Sequence, residues 1–142
     1  MAKYDSWIEK NYNYLYLLDD EISKSIVALH LLSTELKVVS SAIYLGTTSA
    51  DYLPQLKKCF EHYFFIEGLK WIQSLENAYG TSIHPDKESR EDYLLSSPAV
   101  LIRLEEYTDH ESETLQYLLP KIDRLLDQLI AEKKIEMGEP KL

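Results

Sequence analysis

The residues with the chemistry to act are few: four histidines, one cysteine and a large excess of carboxylates. Glu106, His110 and Glu113 are spaced by four and three, so a continuous helix would bring them onto one face. That face could offer oxygen ligands to a hard cation, or two carboxylates that orient His110 for proton transfer. Nothing nearby supplies further ligands or dry surroundings, so the expectation is a solvated acidic face with no metal and no cofactor. His30 sits beside the Leu29–Leu32 apolar stripe and His62 between Glu61 and Tyr63, where partly buried, hydrogen-bonded side chains are expected. Cys59 follows Lys57-Lys58, and a neighbouring cation can lower a thiol pKa; a small apolar residue facing the interior is the expected role. No glutamate stands three residues before any histidine, as di-iron bundles require, and no His-x-x-x-His pair occurs. Walker, dinucleotide-binding and nucleophile-elbow signatures are absent, and four scattered glycines could not build them.

Arg103 and His110, with six residues between them, form the other constellation. The pair resembles the Arg–His arrangement of HEPN ribonuclease domains, which are helical bundles. The resemblance implies a site in which the two side chains activate a ribose hydroxyl and stabilise the phosphorane. It covers two residues, and Leu104 stands where a polar residue commonly follows the arginine. Glu105, Glu106, Asp109, Glu111 and Glu113 surround the pair and would repel an RNA phosphate.

Charge and aromatic residues are distributed unevenly. The chain of 142 residues carries 15 Lys and Arg against 24 Asp and Glu, a formal net charge of −9. So acidic a chain is not built to grip nucleic acid, which depends on clustered Lys and Arg. Between Asp86 and Glu113 lie nine acids and three bases, about two-thirds of the whole excess in one-fifth of the chain. Tyr93 and Tyr107 fall inside this segment. An acidic patch with interspersed tyrosine suits a basic protein partner, because charge steers encounter and aromatic side chains anchor the complex. Asp92, Tyr93, Glu105, Glu106, Tyr107, Asp109, Glu111 and Glu113 are therefore the candidate binding residues. Eleven of the sixteen aromatic residues are tyrosine, and Tyr4, Trp7, Tyr12, Tyr14 and Tyr16 crowd the N-terminus. They suit a half-buried rim or a homodimer interface.

The elements that must position these residues read as helices throughout. Ile22, Ile26, Leu29, Leu32, Leu36, Val39 and Ile43 recur at three and four, one helical stripe. It runs back through Leu18 and Leu15 to Ile8, and a single helix from Ser6 to Leu45 would be ~60 Å long. A compact domain of this size is under ~40 Å across, which places a break at Asp19-Asp20, where Asp is a favourable N-cap. The expected helices are 6–18, 21–45 ended by Gly46, and one from the Pro54 region to Gly80 with Gly68 as a packing notch. A short helical turn at 90–95, a helix over 99–107 and a final helix ended by Gly138 follow. Pro120 either kinks a final helix that begins near Glu111 or opens a fresh one. No segment alternates as a half-buried strand does.

The fold class is thus all-α, an antiparallel bundle of four to five helices in a single domain, 1–142, with a frayed C-terminal tail. One cysteine, no apolar leader behind Lys3 and no run near the ~20 residues a membrane helix needs suggest a cytoplasmic chain with no membrane partner. The functional expectation is a non-enzymatic acidic protein that binds a protein with a basic surface. Its sharpest form is an immunity or inhibitor protein neutralising a nuclease-type toxin. The alternatives are the HEPN-like ribonuclease of Arg103 and His110, and a structural homodimeric assembly subunit.

Overall fold

A computed structural model describes residues 5–138, and among them every regular element is helical. The first helix, α1 (Asp5–Leu17), ends before the expected break, and α2 (Glu21–Leu36) begins directly after it. Asp20 is the N-cap: its carboxylate accepts from the Ser23 amide at 3.0 Å and the Ser23 hydroxyl at 2.8 Å. The same carboxylate meets the buried Lys133 ammonium at 3.3 Å, which ties the α1–α2 corner to the far end of the chain.

The helix expected over 21–45 is interrupted. A turn at 37–40 separates α2 from a single-turn helix, α3 (Ser41–Tyr44), capped by the Ser40 hydroxyl on the Ile43 amide. Tertiary partners override the apolar spacing here. The first amide of α3, Ser41, donates to Glu111 Oε1 at 2.9 Å, and the carbonyls of Leu45 and Thr47 are held by Arg90. Ile43, the last member of the apolar stripe, faces outward and is 58% exposed. Residues 48–52 form a 3-10 turn, and it leads into α4 (Leu53–His62) with Pro54 in its first turn.

The helix expected from Pro54 to Gly80 is also two helices. Phe64 adopts φ +54°, the Phe65 amide reaches back to Phe60 O at 2.8 Å, and the Phe64 amide donates to Glu61 O at 3.3 Å. This is the Schellman ending, with phenylalanine where glycine is usual. The Phe60 and Phe65 rings meet edge to face at 5.0 Å and supply the accompanying apolar contact. Gly68, near the start of α5 (Ile66–Tyr79), is the expected notch: a Cβ there would lie 2.6 Å from the Phe60 ring. Gly80 ends α5 at φ +94° with its amide on Glu76 O.

The last three helices are α6 (Lys87–Leu95), α7 (Pro98–His110) and α8 (Ser112–Glu136). Of the two expectations for Pro120, the continuous helix is the one found, and Pro120 lies on its exposed side. Helix α2 packs along α8, α5 along α7, and α4 against both α2 and α5. Ile26, Leu29, Leu32 and Leu36 meet Ile122, Leu126, Leu129 and Ile130 in one continuous apolar cluster that also takes in Phe60, Trp71 and Leu75. The all-helical expectation holds; the described residues contain eight α-helices, more than the expected four or five, because two long stripes are each broken by capping turns and the turn expected at 90–95 is a full helix. None is long and apolar enough to cross a membrane. Tyr4 and the tail at 139–142 lie outside the described residues.

Candidate functional site

The acidic segment folds as α6, α7 and the start of α8, and burial divides its charges into two kinds. Asp86 caps α6 through the Ser89 amide at 2.9 Å, and this contact, with the Ser89 hydroxyl, holds its carboxyl below the usual aspartate range. Arg90, one turn later, is completely buried. It donates to Leu45 O at 2.7 Å, Thr47 O at 2.9 Å and His84 O at 3.0 Å, and meets the Asp51 carboxylate at 2.6 Å. Nothing local marks this role, since Arg90 stands in a run of charged residues that reads as a solvated face.

Of the nine acids between 86 and 113, eight are exposed and only Glu111 is buried. Arg103 is the one exposed base of the segment. On α7, Leu101, Ile102, Glu105, Glu106 and Asp109 fall on one outward face at helical spacing. Leu101 is 43% and Ile102 57% exposed, so two aliphatic side chains are set among three carboxylates.

The two expected aromatic anchors are both half-buried. Tyr93 stacks on Tyr79 with ring centroids 4.5 Å apart, and its hydroxyl donates to Tyr79 O at 2.7 Å. Tyr107 is half-buried: burial, then the neighbouring Glu111 carboxylate, pushes its phenol up to about 12, opposed by the Ser41 hydroxyl. Both rings serve the interior, because each lies on the side of its helix that meets α5 or α3. Leu101 and Ile102 occupy the outward position instead; sequence reading missed them because their apolar character pointed to the core.

The continuous helix that would put Glu106, His110 and Glu113 on one face is interrupted. The chain leaves helical pairing at Glu111, so Glu113 belongs to α8 and is separated from the other two. Among the described residues no group of three His, Cys, Asp or Glu side chains is placed to hold a metal ion. Arg103, Glu106, Tyr107, His110 and Glu111 do line one cleft of about 450 Å³, closed on the other side by α5 residues such as Asn77. Arg103 is fixed at one end by a bond from Nε to Ala78 O at 3.1 Å. Glu111 at the other end is a correction to its expected exposure. Its Oε1 accepts from the Ser41 amide, and its Oε2 is buried with no hydrogen-bond partner. Ser41 in turn accepts the Trp71 indole N–H at 3.1 Å.

Elsewhere, burial pushes the Cys59 thiol up to about 11, opposed by a bond from Ser25, which fits an interior residue and not an activated nucleophile. His62 is exposed, contrary to expectation, while His30 is half-buried against the Tyr12 ring. The N-terminal aromatic group divides: Trp7 and Tyr12 pack on the core, and Tyr14 and Tyr16 are exposed. Compared with protein-family models, with curated proteins and with solved structures, the chain matches none.

Proposed function

We propose that this chain acts by binding another protein, through the outward face of α7 and the adjoining acids of α6. The observation that carries this reading is the pairing of Leu101 and Ile102 with Glu105, Glu106 and Asp109 on one exposed face. Exposed aliphatic side chains ringed by like charge suit a partner whose surface is basic with an apolar centre, since desolvated contacts supply affinity and the charged rim supplies steering. The sharpest form of the proposal is an inhibitor, an immunity protein, that covers the basic cleft of a nuclease-type toxin. The test is affinity capture with the wild-type chain and with a variant carrying Leu101→Ser and Ile102→Ser. A basic protein recovered by the wild type, released by salt and lost with the variant is the expected result. Equal recovery by both would remove the face from consideration.

A second reading is supported by one observation: Arg103 and His110 line the same cleft. Ribonuclease action there requires RNA phosphate to enter beside Glu106 and Glu111. Purified chain is expected to leave RNA intact. Cleavage lost on both Arg103→Ala and His110→Ala, with folding retained, would replace the binding proposal by the enzymatic one.

A further inference from the structure

We infer that the cleft beside α7 receives a guanidinium or ammonium side chain of the protein partner, which pairs with Glu111 and Glu106. The inference rests on the protein-binding reading and specifies what the partner contributes. Glu111 is 5% exposed, and among the described residues its Oε2 is the one buried side-chain oxygen or nitrogen without a hydrogen-bond partner. A carboxylate oxygen taken out of water and left unpaired is costly, and native interiors rarely leave one so. Ser41 already occupies Oε1, so the carboxylate is held in place with its second oxygen unused.

The charge at that end of the cleft selects the ligand. Glu111 stands there with His110, whereas Arg103 lies seven residues before His110 along α7, about 10 Å of helix rise, and is committed to Ala78 O; Glu106 stands between them, one turn before His110. A carboxylate at one end, a second one turn before it and a length set by two helical turns suit an aliphatic stem with a cationic head. Glu106 also borders the outward face of α7, so a partner docked on Leu101 and Ile102 has the cleft within reach of one long side chain. Because Oε2 has no contact with solvent in the free protein, entry requires neighbouring side chains to give way; His110 and Thr114, one residue before and three after Glu111, line the cleft and are exposed.

The probe is N-acetyl-arginine amide, titrated into the full chain and followed by amide and side-chain NMR shifts. Its neutral near-isostere, N-acetyl-citrulline amide, is the control. Saturable shifts at His110, Glu111 and Thr114 are expected with the arginine compound and not with the citrulline one. Glu111→Gln keeps an acceptor for Ser41 and should weaken the response roughly tenfold, as expected for loss of one charge-assisted pair. Glu106→Gln, at an exposed site where folding is not at issue, should weaken it several-fold. Equal shifts with citrulline, or a response unchanged in both variants, overturns the cation pocket. The docking reading fails separately: partner capture that responds to Leu101→Ser and Ile102→Ser but ignores Glu111→Gln and Glu106→Gln removes the pocket and leaves the docking face. A chain that captures no basic protein removes the docking face and with it the partner's side chain.

Discussion

The corner around Arg90 and the outward face of α7 belong to one charged stretch of sequence, yet they handle charge in opposite ways. At the corner a single guanidinium, wholly buried, gathers three carbonyls from two separate turns and one carboxylate. On α7, three carboxylates stand in water around two aliphatic side chains. The first arrangement fixes the shape of the chain, and the second leaves a surface whose charge has no structural use. Charge density therefore does not distinguish the two; burial does. The order of burial, from Arg90 through Glu111 and Asp20 to Glu105, should also be the order in which substitutions affect folding.

Arg90→Ala should have the largest effect. It leaves the Leu45, Thr47 and His84 carbonyls without their donor, at about 1–3 kcal/mol for each one left buried and unpaired, and frees Asp51, whose side chain is 40% exposed, from its partner. Arg90→Lys should recover little, since one ammonium cannot match the fork of bonds made by a guanidinium. Denaturant unfolding monitored by circular dichroism measures both. A loss below about 1 kcal/mol, the scale of an exposed pair, would place Arg90 with the surface charges and dissolve the contrast.

Glu111→Ala comes next. It strips the Ser41 amide of its acceptor, a loss of about 1–3 kcal/mol, while Glu111→Gln should retain most of the stability because a carbonyl oxygen remains for Ser41. If both variants lose stability equally, the charge and not the bond to Ser41 holds α3 in place. This residue also marks how far sequence could be read. The acidic segment, its helices and the Asp20 and Gly80 caps were legible, because each depends on neighbours within a turn. Glu111 and Arg90 were not, since their partners lie 70 and 45 positions away in Ser41 and Leu45. Phe64 hid the second broken helix for a different reason: phenylalanine gives no local warning of a left-handed ending. Tyrosine suits a rim and an interface equally, and only the fold shows that Tyr93 and Tyr107 pack partly against the core. The acids of the candidate site were thus legible from charge, while the exposure of Leu101 and Ile102 and the cleft emerged only from the fold.

Asp20→Ala tests a charge that is half in water. Loss of the N-cap costs about 1 kcal/mol, and the contact with Lys133 is lost with it. Burial pushes the Asp20 carboxyl up, but the Ser23 amide and hydroxyl and the Lys133 ammonium together bring it below the usual aspartate value. A carboxyl depressed in the folded state contributes stability that is complete above its unfolded pKa of about 4 and is lost as pH falls through the lower folded value. Wild type should therefore lose stability relative to Asp20→Asn as pH drops from about 5 to 2. Parallel pH profiles for the two would show that the cap acts without its charge.

The smallest effect on folding is expected from Glu105→Gln, Glu106→Gln and Asp109→Gln combined on α7, whose consequence lies in binding. All three sites are exposed, and surface changes of this kind stay within about 0.5 kcal/mol of wild type. Their use is long-range. Steering by exposed charge raises the association rate with a basic partner and fades as salt shortens the Debye length, ~8 Å at physiological ionic strength. The triple variant should associate more slowly with the captured partner at low salt and approach wild type at high salt. Leu101→Ser should act mainly on the dissociation rate, because an apolar anchor works after contact. Glu111 is left out of the triple variant, since its burial would mix a folding change into the rate. Surface plasmon resonance at two salt concentrations, with unfolding curves for the same proteins, separates the terms. Association rates that ignore both salt and the three amides would reduce the carboxylates of α7 to a solubilising face, and the contrast with Arg90 would then lie between structure and solvation alone.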